Sequence, residues 1–95
     1  MSSKLPLIRR ADIDWRVVEG EAILLDLEEA EVLRLNRMAA ELWTLIDGTR
    51  SVDDLARHLE RTYDVSGWRA RRDVRRFVRR LRRRDFVRPM EAARR

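Results

Sequence analysis

The fold is decided by the stretch WRVVEGEAILL at residues 15–25, in which two apolar runs flank the dipeptide Glu19-Gly20. Glycine at such a position favours a two-residue turn and β-branched residues favour strands, so the stretch predicts an antiparallel hairpin. The acidic segment 26–31 is interpreted as a solvated connection, and the VLRL run at residues 32–35 predicts a third short strand. We therefore expect a three-stranded meander, which needs an apolar layer on one face to be stable in water.

At Asn36 the period of the apolar residues changes from about 2 to about 3.6, which predicts helices. Asn36 is a good N-cap for a first helix at about residues 37–47, which an Asp-Gly pair then ends. Ser51 begins a second helix that ends near Tyr63, and a third helix with a narrow apolar stripe starts near Gly67. Strands and helices in separate blocks predict an α+β fold, in which a three-helix bundle packs on the sheet.

The length and composition limit the functions that are open to this chain. Its 95 residues predict one domain, 1–95, with an ordered core of about 14–88 and a flexible tail at 89–95. Without cysteine and with one histidine, we expect no catalytic residue, no metal ligand and no cofactor. The scarcity of these residue types predicts a non-enzymatic protein. The apolar runs are too short to cross a membrane and the N-terminal residues do not resemble a signal peptide, so we expect a cytoplasmic protein without a membrane partner.

Charge is divided unevenly along the chain. Residues 67–95 contain thirteen Lys or Arg and three Asp or Glu, whereas residues 1–66 contain nine and fourteen. This asymmetry indicates an anionic partner such as nucleic acid, a membrane surface or an acidic peptide. The alternative is a merely solvated helix, since arginine outnumbers lysine 21 to 1 and codon bias alone is able to produce that excess.

Two predicted features favour peptide binding. The third strand of a meander pairs only with the second, so one side of residues 32–35 carries unpaired N–H and C=O groups. The cationic third helix has to pack against or beside the same small sheet. An extended peptide is able to add itself to this strand while its side chains meet the helix, a mode known as β-augmentation.

Several short motifs occur in a defined order over most of the chain. They are AILLD at 22–26, Leu35-Asn36, AELW at 40–43, IDG at 46–48, SVDDL at 51–55, and the residues Leu59, Tyr63, Val74, Phe77, Leu81, Phe86 and Val87. In this order they resemble the PqqD family, the recognition elements for ribosomally synthesised, post-translationally modified peptides. The resemblance implies a winged helix-turn-helix-like domain without enzymatic activity. Such a domain binds the leader segment of a precursor peptide as an extra strand and presents it to a modifying enzyme, often a radical SAM protein.

The resemblance places the leader between the third strand and the third helix. On the strand side the expected residues are Val32, Leu33, Arg34 and Leu35. At about 100° per residue, Val78 lies at the margin of the helix's apolar stripe, with arginines beyond it. We expect this flank to line the groove with Arg71, Val74, Arg75, Val78 and Arg82. The opposite flank, with Arg69, Asp73 and Arg80, lacks an apolar member and stays open as an alternative. The arginines predict an acidic leader.

Two other functions remain open. A winged-helix nucleic-acid-binding protein is disfavoured because residues 68–84 contain no Asn, Gln, Ser or Thr for base readout, and because the acidic first two-thirds would repel a duplex. The second alternative is a subunit that stabilises a larger enzyme. The sequence does not distinguish a monomer from a homodimer, because an exposed strand edge is able to pair with its own copy.

Overall fold

The structure is a computed structural model that describes residues 4–90. Its elements along the chain are β1 (Leu7–Arg9), β2 (Asp14–Val18), β3 (Glu21–Asp26), β4 (Glu31–Leu35), α1 (Arg37–Leu45), β5 (Asp47–Arg50), α2 (Val52–Tyr63), α3 (Gly67–Arg83) and β6 (Val87–Pro89). Three of the strands form the predicted antiparallel meander, in the order β2-β3-β4. The predicted α+β fold, a three-stranded sheet followed by three helices, is confirmed.

The first hairpin has the turn that the sequence predicts. Glu19 and Gly20 both adopt positive φ angles, of 54° and 85°, and they join β2 to β3 as the two central residues of the turn. Two successive positive φ angles match the twist of the flanking strands, and glycine adopts this conformation without steric cost. The turn therefore fixes the register of β2 on β3, in which Val18 lies opposite Glu21.

A second small sheet, in the order β5-β1-β6, was not expected from the sequence. The predicted ordered core begins at about residue 14, yet β1 lies before it and Leu7 is fully buried. Pro89, which the prediction assigns to the flexible tail, lies in β6, and residues 91–95 of that tail lie outside the described residues. The first helix ends at Leu45 and not near residue 47, because the following residues pair with β1 as β5.

The core lies between the inner face of the meander and the helices. α1 packs on β3 and β4, and α2 packs along α3, which also contacts β6. Both helices α1 and α2 have the predicted caps: the Asn36 side chain accepts a hydrogen bond from the amide of Ala39, and Ser51 and Asp54 form a reciprocal capping box. Among residues 4–90, no helix is both long and apolar enough to traverse a lipid bilayer.

Candidate functional site

The outer edge of β4 is open. Within residues 4–90, β4 pairs with β3 and with no second strand. The N-terminal arm does not cover this edge, because it forms β1 between β5 and β6. An unpaired edge offers main-chain donors and acceptors to a guest strand.

The register shows which backbone groups of β4 point outward. In a two-residue hairpin the closing pair is hydrogen-bonded, so Glu21 and every second residue after it in β3 bond to β2. The alternate residues of β3 therefore bond to β4, as Leu24 does to its partner Leu33. It follows that Val32 and Arg34 direct their N–H and C=O groups away from the sheet, where a guest strand would lie.

The side chains of β4 alternate between two environments. Leu33 and Leu35 are buried in the core below the sheet, whereas Val32 is 60% exposed on the outer face. Arg34 lies on the same outer face, with its Nη2 atom 3.8 Å from Oε1 of Glu21. The four predicted strand residues thus divide into two that support the strand from the core and two that present its open backbone groups.

The turn before β4 is held by a buried ion pair. Asp26 is only 1% exposed, and its Oδ2 atom lies 3.0 Å from Nη2 of Arg10. Its other oxygen accepts a hydrogen bond from the amide of Glu29 within the turn. The sequence suggested that Asp26 belongs to a solvated connection, and this is wrong. Asp26 is buried because the arm before β2 places the Arg10 guanidinium against its carboxylate. This pair connects the arm to the end of β3, at the turn that leads into β4.

The C-terminal end of one flank of α3 lies beside the start of β4. The Nη1 atom of Arg84, at the C-terminal cap of α3, lies 3.6 Å from Oε2 of Glu31 at the start of β4. Residues three, four and seven apart share one side of a helix, so Asp73, Phe77 and Arg80 extend this side along α3. Phe77 is half-buried against the core and supplies an apolar surface on it. We call Asp73, Phe77 and Arg80 of α3, together with the cap residue Arg84, the Phe77 flank.

The flank expected from the sequence lies on the other side of the helix. It comprises Arg71, Val74, Arg75, Val78 and Arg82, here called the Arg71 flank. The Nε atom of Arg71 lies 3.5 Å from Oδ1 of Asp53, at the start of α2, so this side is turned towards α2. Val74 and Val78 are fully buried in the core, while Arg75 and Arg82 are exposed. Phe77 packs against the core as its place in the apolar stripe predicts, and it lies at the margin of that stripe opposite to Val78.

The surface where the start of β4 meets the C-terminal end of α3 is charged with both signs. A concavity of about 360 Å³ is lined by Arg10, Glu28, Glu29, Glu31, Arg83, Arg84 and Asp85. The hydrogen bond from Arg88 holds the pKa of Asp85 below its usual range, so Asp85 is ionised at neutral pH. Polar and charged groups are therefore better suited to this surface than apolar ones.

The titratable groups elsewhere form structural contacts. His58 Nε2 lies 2.5 Å from Oε2 of Glu41, and the Tyr63 hydroxyl donates a hydrogen bond to the other oxygen of the same carboxylate. The hydrogen bond from Tyr63 lowers the pKa of Glu41 most, and the contact with His58 lowers it further. Both contacts join α2 to α1. Among the described residues, no group of three or more His, Asp or Glu side chains is arranged to hold a metal ion.

Comparison with known proteins gives matches over most of the chain. The family model described as "Coenzyme PQQ synthesis protein D (PqqD)" matches residues 21–87. The chain is similar to the solved "Lasso peptide synthetase B1 complexed with the leader peptide", with 26% identity, a TM-score of 0.78, and coverage of 88% of this chain and 99% of that one. None of the curated proteins matches.

Two further solved structures share the fold at lower identity. "TbiB1 in Complex with the TbiA(beta) Leader Peptide" has 19% identity and a TM-score of 0.78, with coverage of 84% of this chain and 93% of that one. The PqqD truncation of Methylobacterium extorquens PqqCD, described as a stand-alone recognition element for ribosomally synthesised and post-translationally modified peptides, has 21% identity and a TM-score of 0.70. The match covers 86% of this chain and 87% of the PqqD truncation.

Proposed function

The chain belongs to the PqqD family, and on this premise we propose that it is a non-catalytic protein that binds the leader segment of a ribosomally made precursor peptide. The leader adds to the open edge of β4 as a further strand and is presented there to a modifying enzyme. The observation that carries this proposal is the unpaired row of N–H and C=O groups at Val32 and Arg34. The leader peptide in the 26% identical lasso peptide synthetase B1 supports it.

The mechanism is tethering. Main-chain hydrogen bonds to β4 hold the leader with little dependence on its sequence, and the side-chain contacts with α3 supply the selectivity. Once the leader is bound, the core peptide meets the enzyme at an effective concentration on the order of millimolar. Catalysis by this chain is not required for that gain.

For the helix side of the groove we propose the Phe77 flank. It is supported by the contact between Arg84 and Glu31, which joins the C-terminal end of this flank to the start of β4, and by Phe77, which offers an apolar surface for a leader side chain. Arg80 and Arg84 then favour acidic leader residues, mainly by faster association. The Arg71 flank remains the alternative to be tested against it.

The partners complete the proposal. They are an acidic leader peptide and a peptide-modifying enzyme, for which a radical SAM protein is one candidate class, in the cytoplasm and without nucleic acid or membrane. A monomer is compatible with this function, and so is a homodimer whose second copy leaves the β4 edge free or vacates it before a leader binds.

The test uses a fluorescein-labelled synthetic peptide that comprises the leader of the precursor encoded beside this chain's gene. Fluorescence anisotropy gives its affinity for the wild-type chain and for two charge-matched variants, Arg80→Glu/Arg84→Glu and Arg75→Glu/Arg82→Glu. We expect the first variant to weaken binding about tenfold or more and to reduce its salt dependence, and the second to change affinity less than about threefold.

Three outcomes would contradict the proposal at different points. No leader binding by the wild-type chain would reject the function. A loss confined to the Arg75→Glu/Arg82→Glu variant would return the groove to the Arg71 flank. Unchanged affinity and salt dependence in both variants would reject the acidic leader.

A further inference from the structure

The side of α3 that faces away from the core carries a continuous cationic surface. Trp68, Arg72, Arg76 and Arg79 follow one another at helical spacing on this side, and we call them the arginine ridge. Together with Arg71 and Arg75 of the neighbouring Arg71 flank, they line a shallow concavity of about 370 Å³. The ridge spans about 17 Å along the helix axis and lies roughly a third of a turn from the Phe77 flank.

The charge of the ridge is not balanced within the helix. α3 contains nine arginines and one acidic residue, Asp73. Arg72 forms an ion pair with Asp73, with Nε 3.3 Å from Oδ1, but arginines three residues apart, such as Arg76 and Arg79, repel each other and destabilise a helix. Only those in the last turn are favoured by the helix dipole. Within residues 4–90 neither Arg76 nor Arg79 has an ion-pair partner, so an acidic partner from outside would relieve this repulsion.

The apolar member of the ridge is also left in solvent. Trp68 is 67% exposed, whereas Trp43 is completely buried and Trp15 packs against it at 6.0 Å between ring centroids. Arg72 lies over the Trp68 ring, with Cζ 5.0 Å from the centroid, which holds the two side chains together before any partner arrives. Tryptophan and arginine are the residues that contribute most often to the centres of protein interfaces.

We propose that the arginine ridge docks the chain onto an acidic surface of the peptide-modifying enzyme, through contacts that the leader does not make. This inference rests on the proposed function for the identity of the partner. Because the ridge and the Phe77 flank lie on different sides of α3, leader and enzyme are able to bind at the same time. A protein surface fits better than a nucleic acid, since the helix lacks Asn, Gln, Ser and Thr for base contacts.

The experiment measures three affinities of the full chain: for the modifying enzyme encoded in the same gene cluster, for the labelled leader, and for a 20-nucleotide single-stranded RNA. The ridge variants are Arg76→Glu/Arg79→Glu and Trp68→Ala. The control is Arg16→Glu/Arg61→Glu, which makes the same change in net charge at exposed positions of β2 and α2. Circular dichroism and thermal unfolding show whether each variant is folded.

We expect both ridge variants to weaken enzyme binding by about tenfold or more while leader affinity stays within about twofold of wild type. The control should bind enzyme and leader like the wild-type chain. Equal losses in the ridge and control variants would reduce the effect to net charge and overturn the proposal. Unchanged enzyme affinity in the ridge variants would also overturn the proposal. If the ridge variants lost RNA binding and nothing else, the ridge would be assigned to nucleic acid. Absence of leader binding by the wild-type chain, with ridge-dependent enzyme binding intact, would reject the proposed function but not the docking surface.

Discussion

Val32→Pro tests the open edge of β4 directly. The amide of Val32 points away from β3, so proline at this position removes no hydrogen bond of the meander. The proline ring instead occupies the place where a carbonyl of the guest strand would accept that bond. Proline is tolerated on strand edges for the same reason.

The expected loss follows from the number of bonds affected. A guest strand is able to form four main-chain hydrogen bonds with β4, two each at Val32 and Arg34. The substitution removes one of these bonds and displaces its neighbour, and each contributes about 0.5–1.5 kcal/mol net. Leader affinity should therefore fall by about 1–3 kcal/mol, or about 5- to 150-fold.

The matched control is Val17→Pro on β2, the other edge of the same sheet. By the same alternation, the Val17 amide points away from β3, so both variants lose an outward N–H and should unfold at similar urea concentrations. Fluorescence anisotropy with the labelled leader should give the loss for Val32→Pro only. Wild-type affinity in a folded Val32→Pro variant would refute strand addition at β4, and an equal loss in Val17→Pro would show that the effect is not specific to this edge.

Further substitutions test the site and the contacts that support it. Phe77→Ala should weaken leader binding about tenfold, since it removes about 1.5 kcal/mol of apolar contact; anisotropy checks this, and unchanged affinity would exclude Phe77 from the groove. The hydrogen bond from Tyr63 lowers the pKa of Glu41 in the folded state below its unfolded value of about 4.5. The ionised carboxylate therefore stabilises the folded state fully at pH values above about 4.5, and this stabilisation is lost as the pH falls through the folded pKa. Glu41→Gln should therefore lower the free energy of unfolding by about 1 kcal/mol at pH 7, with the difference shrinking below pH 4.5 in urea titrations; a constant difference across this range would contradict the assignment. Arg10→Ala leaves the Asp26 carboxylate buried and unpaired and should cost about 3–5 kcal/mol of unfolding free energy, part of which Arg10→Ala/Asp26→Asn should restore.

The residues of each short segment were sufficient to predict the meander and the three helices. Glu19-Gly20 specified a hairpin because few dipeptides adopt two positive φ angles, and Asn36 and Ser51 marked helix starts because their side chains satisfy free amides. The edge position of β4 was also predictable, since a third strand of a meander has one neighbour. Each of these features depends on residues close together in the chain.

The second sheet could not be predicted in this way. β1 and β6 are three residues each, too short to show a period, and their pairing joins Leu7 to Pro89. The burial of Asp26 has the same origin, because its partner Arg10 comes from the arm and the acidic pattern around Asp26 indicated solvent.

By itself, the sequence determined an α+β domain with an open strand edge and a cationic last helix, because turns, caps and apolar periodicity act within a few residues. Only the tertiary structure decided which residues of α3 and its cap contact β4 and which contact α2. The apolar stripe of a helix predicts which of its residues are buried, but not which element packs beside each margin of the stripe. The contacts of Arg84 with Glu31 and of Arg71 with Asp53 supply that information, and both depend on how distant segments pack.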